Sequence, residues 1–207
     1  LARIAADNGI TLVHVSSDYV FDGALDRPYR EDDPVAPLGV YGQTKAAGDA
    51  VVATVPRHYV VRTSWVIGEG RNFVSTMRGL AERGIDPAVV CDQVGRLTFT
   101  GELARGILHL LASDAPYGVY NLTGAGAPVS WADVARDVFG LTGHDPARVR
   151  DTTTDEYFAN ATAPVSPRPR NSVLDLSKIE STGFAPRDAR LNLRDLLTAS
   201  PDVNGEQ

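Results

Sequence analysis

Apolar residues in this chain fall into short continuous runs separated by longer stretches with a helical repeat, an alternation that reads as strand, helix, strand. Residues 10–15 (ITLVHV) are β-branched and almost continuously hydrophobic, which predicts a strand buried on both faces of a parallel sheet. Ahead of it, LARIAADNG reads as the last turns of a helix closed by Asn8 and Gly9. Gly, Asp and Pro dominate residues 21–37, which predicts a long ordered loop of functional length. Residues 41–54 lack Pro and are rich in Ala and Val, a helix; residues 58–62 (HYVVR) are the next strand. A helix over 72–83 carries Phe73, Met77 and Leu80 at i, i+4 and i+7, and a short strand follows at 88–91. Thr100–Ala112 places Leu103, Ile107, Leu110 and Leu111 on one helical face, before a strand at 118–122. Ser130 caps a helix whose buried stripe is Trp131, Val134, Ala135 and Val138, with Asp133 favourable in its first turn. An extended connector at 164–169 (PVSPRP) and short helices at 177–181 and 191–199 complete the pattern, that of a doubly wound α/β fold.

The composition is that of an ordinary globular protein, 43% hydrophobic and 22% charged over 207 residues. A net charge of −6 with no Lys/Arg cluster argues against nucleic acid as a partner, though a few local donors can still hold a phosphorylated small molecule. Cys91 is the only cysteine, which excludes an intrachain disulfide and points to a reducing cytoplasm. No apolar run approaches the ~18 to 20 residues that cross a bilayer, so no membrane partner is expected. The four His residues fall in no metal-like spacing, so no metal-site residue is assigned and a divalent-ion requirement is left open; His14, inside the strand, is read as a satisfied core residue.

Chemistry concentrates in two stretches, SSDYVFDG at 16–23 and YGQTK at 41–45. Tyr41 and Lys45 are four apart, hence one turn apart on the same helical face. A free phenol titrates near 10, and a cation within reach lowers that by roughly 1 to 3 units, which makes such a tyrosine a usable proton donor. Ser17, at a strand's carboxyl end, supplies a second donor for a carbonyl oxygen that gains charge. A proton donor with a carbonyl polariser is what hydride addition to a ketone requires, the nicotinamide providing the rest.

With those residues on the page, the chain resembles the extended short-chain dehydrogenase/reductases and, within them, the dTDP-4-dehydrorhamnose reductases. The likeness runs through VSSDYVFDG (15–23), YGQTKAAGD (41–49), VVRTSWVIGEGRNFVSTM (60–77), CDQVGRLTFTGELARGI (91–107), GVYNLTGAG (118–126) and RPRNSVLDLSKI (168–179). It implies a Rossmann-like parallel-sheet domain, 1–67 with about 87–125, and a smaller C-terminal α/β substrate-binding part, about 68–86 with 126–207. It implies NADPH or NADH as cofactor and a dTDP-sugar as substrate, with the C4 ketone of dTDP-4-dehydro-6-deoxy-L-mannose reduced to dTDP-L-rhamnose. Oligomeric state is left open, a homodimer included. By the resemblance Tyr41 is the proton donor, Lys45 its partner and a ligand of the nicotinamide ribose, and Ser17 binds the same carbonyl. Ser16, Thr63 and Ser64 join Tyr41 and Lys45 on the cofactor side; Asp18, Tyr19, Trp65, Asn72, Gln93 and Arg168 form the substrate side. The alternative readings are Tyr19 and Trp65 as core aromatics, Asn72 as the cap of the helix at Phe73, and Arg168 and Arg170 as pyrophosphate ligands or solvated surface.

Departures from the family pattern are Leu97, where Pro is usual, and Gly101 with Glu102 before LA. The chain also lacks the opening strand and Gly-rich turn that hold a dinucleotide pyrophosphate, about 70 to 90 residues or two to three βα units. The domain is therefore expected to be N-terminally incomplete, to bind dinucleotide poorly as a separate polypeptide and to leave residues 10–15 as a sheet edge. Two rivals stand beside the reductase reading: a 4-ketoreductase of another deoxysugar, and a non-catalytic binding or regulatory subunit of the same fold.

Overall fold

A computed structural model describes residues 1–198; the last residue of the helix expected at 191–199, and the end of the 126–207 stretch, lie outside them. Helix α1 (Ala2–Asp7) ends at Asn8, with Gly9 in the left-handed region at φ 63°. Strand β1 (Leu12–Ser17) runs into a 3-10 turn at Asp18–Val20, and after the long loop come α2 (Val40–Val52) and β2 (His58–Thr63). Next are β3 (Val66–Ile67), α3 (Phe73–Glu82), β4 (Ala88–Val90), β5 (Val94–Gly95) and β6 (Thr98–Phe99). Then follow α4 (Thr100–Ala112), β7 (Gly118–Asn121), β8 (Val129–Ser130) and α5 (Trp131–Leu141). The described part closes with β9 (Arg150–Thr152), α6 (Thr154–Phe158), α7 (Ser177–Glu180) and α8 (Ala189–Thr198).

The principal sheet is parallel in the order β1-β2-β7. Its register sets Leu12 opposite His58 and Ser17 opposite Thr63, so the first two strands end level and their terminal hydroxyl residues lie side by side. This order places β1 at an edge. Val15 is accordingly 40% exposed and Leu12, Val13 and His14 only half-buried, which corrects the expectation of a strand covered on both faces. Continuous hydrophobicity reports what a strand can bury, and its neighbours decide what it does bury. The edge position itself agrees with the expectation for 10–15.

Strand β4, expected with the first sheet, pairs instead in parallel with β9, and β3 and β5 pair with β6 and β8. By pairing, β4 and β5 (residues 88–95) thus join later segments of the chain, while β6 pairs back to β3. Around them α3, α5 and α8 close a core of Val74, Met77, Val134, Val138, Phe139 and Leu193. A second core joins Tyr59, Val61, Tyr120 and Leu122 of the sheet region to Leu110 of α4 and Ile179 of α7. Each such fully buried large apolar side chain stabilises by roughly 1.5–3 kcal/mol. Leu111, expected on the buried stripe of α4, is exposed. The long loop is pinned as expected of an ordered segment: Tyr29 exchanges backbone hydrogen bonds with Val173 and Asp175.

A buried ion pair fixes α2 on the sheet. Arg62 Nε of β2 donates to Asp49 Oδ2 of α2 at 3.1 Å, both side chains being about 6–7% exposed. The guanidinium also donates to the Glu31 carbonyl at 3.1 Å and lies over the Phe21 ring. Asp49 sits four residues after Lys45 and eight after Tyr41, so the bolt holds the helix that carries both.

Candidate active site

The carboxyl ends of β1 and β2 and the start of α2 open onto a cavity of about 430 Å³. Ser16, Ser17, Asp18 and Tyr19 enter it from β1 and the turn behind it; Tyr41 and Lys45 enter from α2. Thr63, Ser64 and Trp65 line it from the end of β2, and Trp131 from the first turn of α5. A switch point at strand carboxyl ends is where an open α/β sheet leaves room for a ligand. Nine of the twelve residues singled out from sequence are brought together there.

Local geometry explains each placement. A Cβ at Gly42 would collide with the Tyr19 carbonyl and with Pro37, so glycine lets α2 start hard against the turn. That approach sets Tyr19 edge-on to Tyr41, ring centroids 5.7 Å apart. Tyr41 is half exposed to the cavity. Lys45 Nζ donates to the Val15 carbonyl at 2.6 Å, which ties its ammonium to the edge strand. Ser17 Oγ accepts from the Tyr19 amide at 3.2 Å and donates to Asp18 Oδ1 at 2.9 Å.

The electrostatics are uneven. Asp18 is fully buried and its carboxyl is pushed up to about 6 by that burial, against the opposing pull of the Ser172 and Ser17 hydroxyls. Its Oδ2 has no hydrogen-bond partner among the described residues, and neither do the buried Ser16 Oγ and Thr63 Oγ1. Burial also raises Tyr19, partly offset by Arg168. His14, expected to be satisfied, is not: among the described residues its Nε2 has no hydrogen-bond partner, and it lies 3.5 Å from Asp49 Oδ1. Burial and then Lys45 hold the imidazole below its usual value, against Asp49. It faces the α2 bolt and not the cavity.

Trp65 adopts φ 48°, a left-handed conformation costly for a bulky residue. Its ring stacks on Trp131 at 3.8 Å and 14°, and Phe73 packs on Trp131 at 4.5 Å. On its other side lies Gly95, where a Cβ would come within 2.6 Å of the indole. The residue is both wall and packing element.

Trp131 also borders a second cavity of about 370 Å³ with Phe73, Val89, Tyr157 and Phe158, and here Gln93 and Arg168 are found. Gln93 Nε2 donates to Thr154 Oγ1, which donates in turn to Asp92. Asn72 lines neither cavity. It caps α3, accepting from the Ser75 amide at 3.0 Å and donating to the Gly68 and Gly70 carbonyls. With its amide engaged on backbone, the helix-cap reading of Asn72 holds. Trp131, Tyr157 and Phe158 were not anticipated: Trp131 reads as an ordinary helical stripe, and only its place as first residue after the Ser130 cap hinted at a rim position.

A larger, shallow hollow of about 730 Å³ lies between α4 and residues 185–192, and it holds none of the candidate residues. Its buried Glu102 is already engaged by Arg105 and by the Arg187 amide. Among the described residues no group of His, Cys, Asp or Glu is arranged to hold a metal, and no helix is long and apolar enough to cross a membrane.

A parallel sheet with Ser17, Tyr41 and Lys45 at its carboxyl edge defines a Rossmann-like α/β protein. The match to the RmlD substrate binding domain extends over residues 1–201, and the chain belongs to that family. It is 42% identical over 205 residues to a dTDP-4-dehydrorhamnose reductase of Mycolicibacterium smegmatis, covering 96% of this chain and 61% of that one. It is 43% identical to a probable dTDP-4,6-dihydroxy-2-methyloxan-3-one 4-ketoreductase of Streptomyces antibioticus, covering 93% and 63%. The crystal structure of dTDP-4-dehydrorhamnose reductase from Bacillus anthracis in complex with NADP superposes with a TM-score of 0.84 at 29% identity, over 95% of this chain and 68% of that one. The chain thus spans a little over three fifths of the length of these curated relatives.

Proposed function

We propose that this chain forms the catalytic and sugar-nucleotide-binding part of a reductase. The reaction is hydride addition to the C4 ketone of dTDP-4-dehydro-6-deoxy-L-mannose, giving dTDP-L-rhamnose. The observation that carries the reading is the convergence of Ser17 from the end of β1 and of Tyr41 and Lys45 from α2 on one cavity. The unpartnered buried hydroxyls of Ser16 and Thr63, beside Lys45, fit the ribose and nicotinamide end of NADPH or NADH. That cofactor, when bound, supplies the hydride.

The chain's own residues then have distinct tasks. Tyr41 gives its phenolic proton to the C4 oxygen as charge develops there, and Lys45, held by the Val15 carbonyl, keeps a positive charge beside it. Trp65 and Trp131 form an apolar wall against the deoxyhexose, and Gln93 and Arg168 in the adjoining cavity meet the nucleotide diphosphate. In this reading residues 1–67 and 98–125 carry the cofactor side, and residues 68–97 and 126–198 the sugar-nucleotide side; the pairing of β4 with β9 and of β5 with β8 supports the division.

The test is Tyr41→Phe in the full-length protein, followed by NADPH oxidation with the keto-sugar nucleotide. Loss of the proton donor lowers kcat by about 10²- to 10⁴-fold with little change in KM; undiminished turnover overturns the assignment. A second reading, reduction of a different 4-keto-deoxysugar nucleotide, draws support from the 43% identity to the Streptomyces antibioticus ketoreductase. Relative kcat/KM across a panel of dTDP-4-keto sugars separates the two.

A further inference from the structure

Ser17 is over-committed for the role of carbonyl donor. A hydroxyl has one proton and two lone pairs. In the structure the proton is directed to Asp18 Oδ1 at 2.9 Å, and one lone pair accepts the Tyr19 amide at 3.2 Å. A carboxylate cannot donate, so while Asp18 is ionised this hydrogen bond has a single direction, and Ser17 presents only a lone pair to a ketone oxygen. Two lone pairs repel.

The surroundings of Asp18 disfavour the ionised form. The residue is 3% exposed; among the described residues Oδ2 has no hydrogen bond of proper geometry, the Ser172 hydroxyl acting on the carboxyl only as a neutral dipole nearby, and none of the ion pairs involves it. An unpaired buried carboxylate is expensive, and a sugar filling the cavity would remove further water. The other titratable groups do little to neutralise it. Tyr41 and Lys45 of α2 and Tyr19 of its own turn line the same cavity. The Lys45 ammonium is hydrogen-bonded to the Val15 carbonyl. Arg168 acts on Tyr19, while Ser172 offers Asp18 only a hydroxyl. His14, Asp49 and Arg62 form their own cluster between β1, β2 and α2.

We propose that Asp18 is a positioning residue that works as a neutral acid: by donating its carboxyl proton to Ser17 Oγ it reverses the hydrogen bond between them and frees the Ser17 proton for the substrate ketone. The inference rests on the reductase reading and deepens it. The proton stays on the Asp18–Ser17 pair throughout; only the direction of donation changes, and Tyr41 remains the group that loses a proton. Burial holds the Asp18 carboxyl near 6, so the competent and blocked forms exchange within an accessible pH range. Because one proton separates them, kcat/KM falls toward tenfold per pH unit above the midpoint.

The experiment uses the full-length protein. kcat/KM for hydride transfer is followed from pH 5 to 9 in the native protein, Asp18→Asn and Ser17→Ala. An Asn amide donates to Ser17 Oγ at every pH, so Asp18→Asn is expected to abolish the limb that begins near pH 6 and to exceed the native protein at least tenfold at pH 8. Ser17→Ala is expected to lose at least tenfold at pH 6. An Asp18→Asn protein that keeps the native limb, or is folded and inactive at all pH values, overturns the proposal. A titration of the Asp18 carboxyl by ¹³C NMR reads the pair without turnover. Ser17→Ala removes a donor to the carboxylate and moves the midpoint upward; an unmoved midpoint overturns the coupling. No hydride transfer at any pH, together with an upward-moved midpoint, strikes the reductase reading while supporting the acid–hydroxyl pair.

Discussion

Removing Asp49 tests how the catalytic helix is held. Asp49→Ala leaves the Arg62 guanidinium 6% exposed, with the Glu31 carbonyl and the face of Phe21 as its remaining partners. Breaking a buried pair by removing one member costs about 3–5 kcal/mol, because the surviving charge stays desolvated. Against a total stability of about 5–15 kcal/mol, that is a third or more of the margin. The surface pair Arg3–Asp7, 92% and 68% exposed at 3.9 Å, is the internal control and is worth about 0–1 kcal/mol. Removing both charges differs in kind: Asp49→Leu with Arg62→Met leaves no buried charge and is expected to recover most of the loss. The assay is urea unfolding of the full-length protein, with Asp49→Ala, the singles Asp49→Leu and Arg62→Met, their double variant and Arg3→Ala compared at constant m-value. The argument fails if Asp49→Ala costs less than about 1 kcal/mol, or if the double variant costs the sum of the singles. A double variant that is stable but slow in turnover would show that the pair also aims Tyr41 and Lys45.

The remaining predictions concern the turn, the wall and the cap. Asp18 titrates near 6 in the fold against 3.8 ordinarily, so its stabilising contribution is fully present below about pH 4 and is lost as pH rises through 6. Asp18→Asn should therefore stabilise the protein at pH 8 by about 2–3 kcal/mol and by much less at pH 4; equal shifts at both pH values would contradict the assignment. Gly95→Ala pushes a methyl to 2.6 Å from the Trp65 indole and should disturb the Trp65–Trp131 stack, raising KM severalfold and changing the near-ultraviolet circular dichroism of the chain's two tryptophans. Asn72→Ala should cost about 1 kcal/mol in thermal unfolding through the lost cap; a KM change well above threefold at that modest stability loss would restore a substrate contact.

Much of the molecule follows from sequence because its signals are local. Helices α2 to α5 and strands β2 and β7 lie within a residue or two of the expected positions, since a 3.6-residue stripe with a capping serine or asparagine, or a run such as HYVVR, encodes its own element. The Tyr41–Lys45 pair is likewise a matter of helical spacing. The two-residue strands β3, β5, β6 and β8 were not legible, because two residues carry no period and exist only where a partner supplies hydrogen bonds.

The sequence by itself therefore determined the α/β alternation, the helix that presents Tyr41 and Lys45, and the hydroxyl-rich end of β1. Tertiary structure alone decided what depends on residues far apart in the chain. It left Val15 exposed, paired β4 with β9 across some 60 residues, and engaged the Asn72 amide on the backbone as a helix cap. It also carried Trp131, Tyr157 and Phe158 to the rim of the cavities. Above all it buried Asp18 with no ion-pair partner among the described residues: spacing shows where a carboxyl lies along the chain, while its protonation depends on the dielectric and the donors that the rest of the fold brings around it.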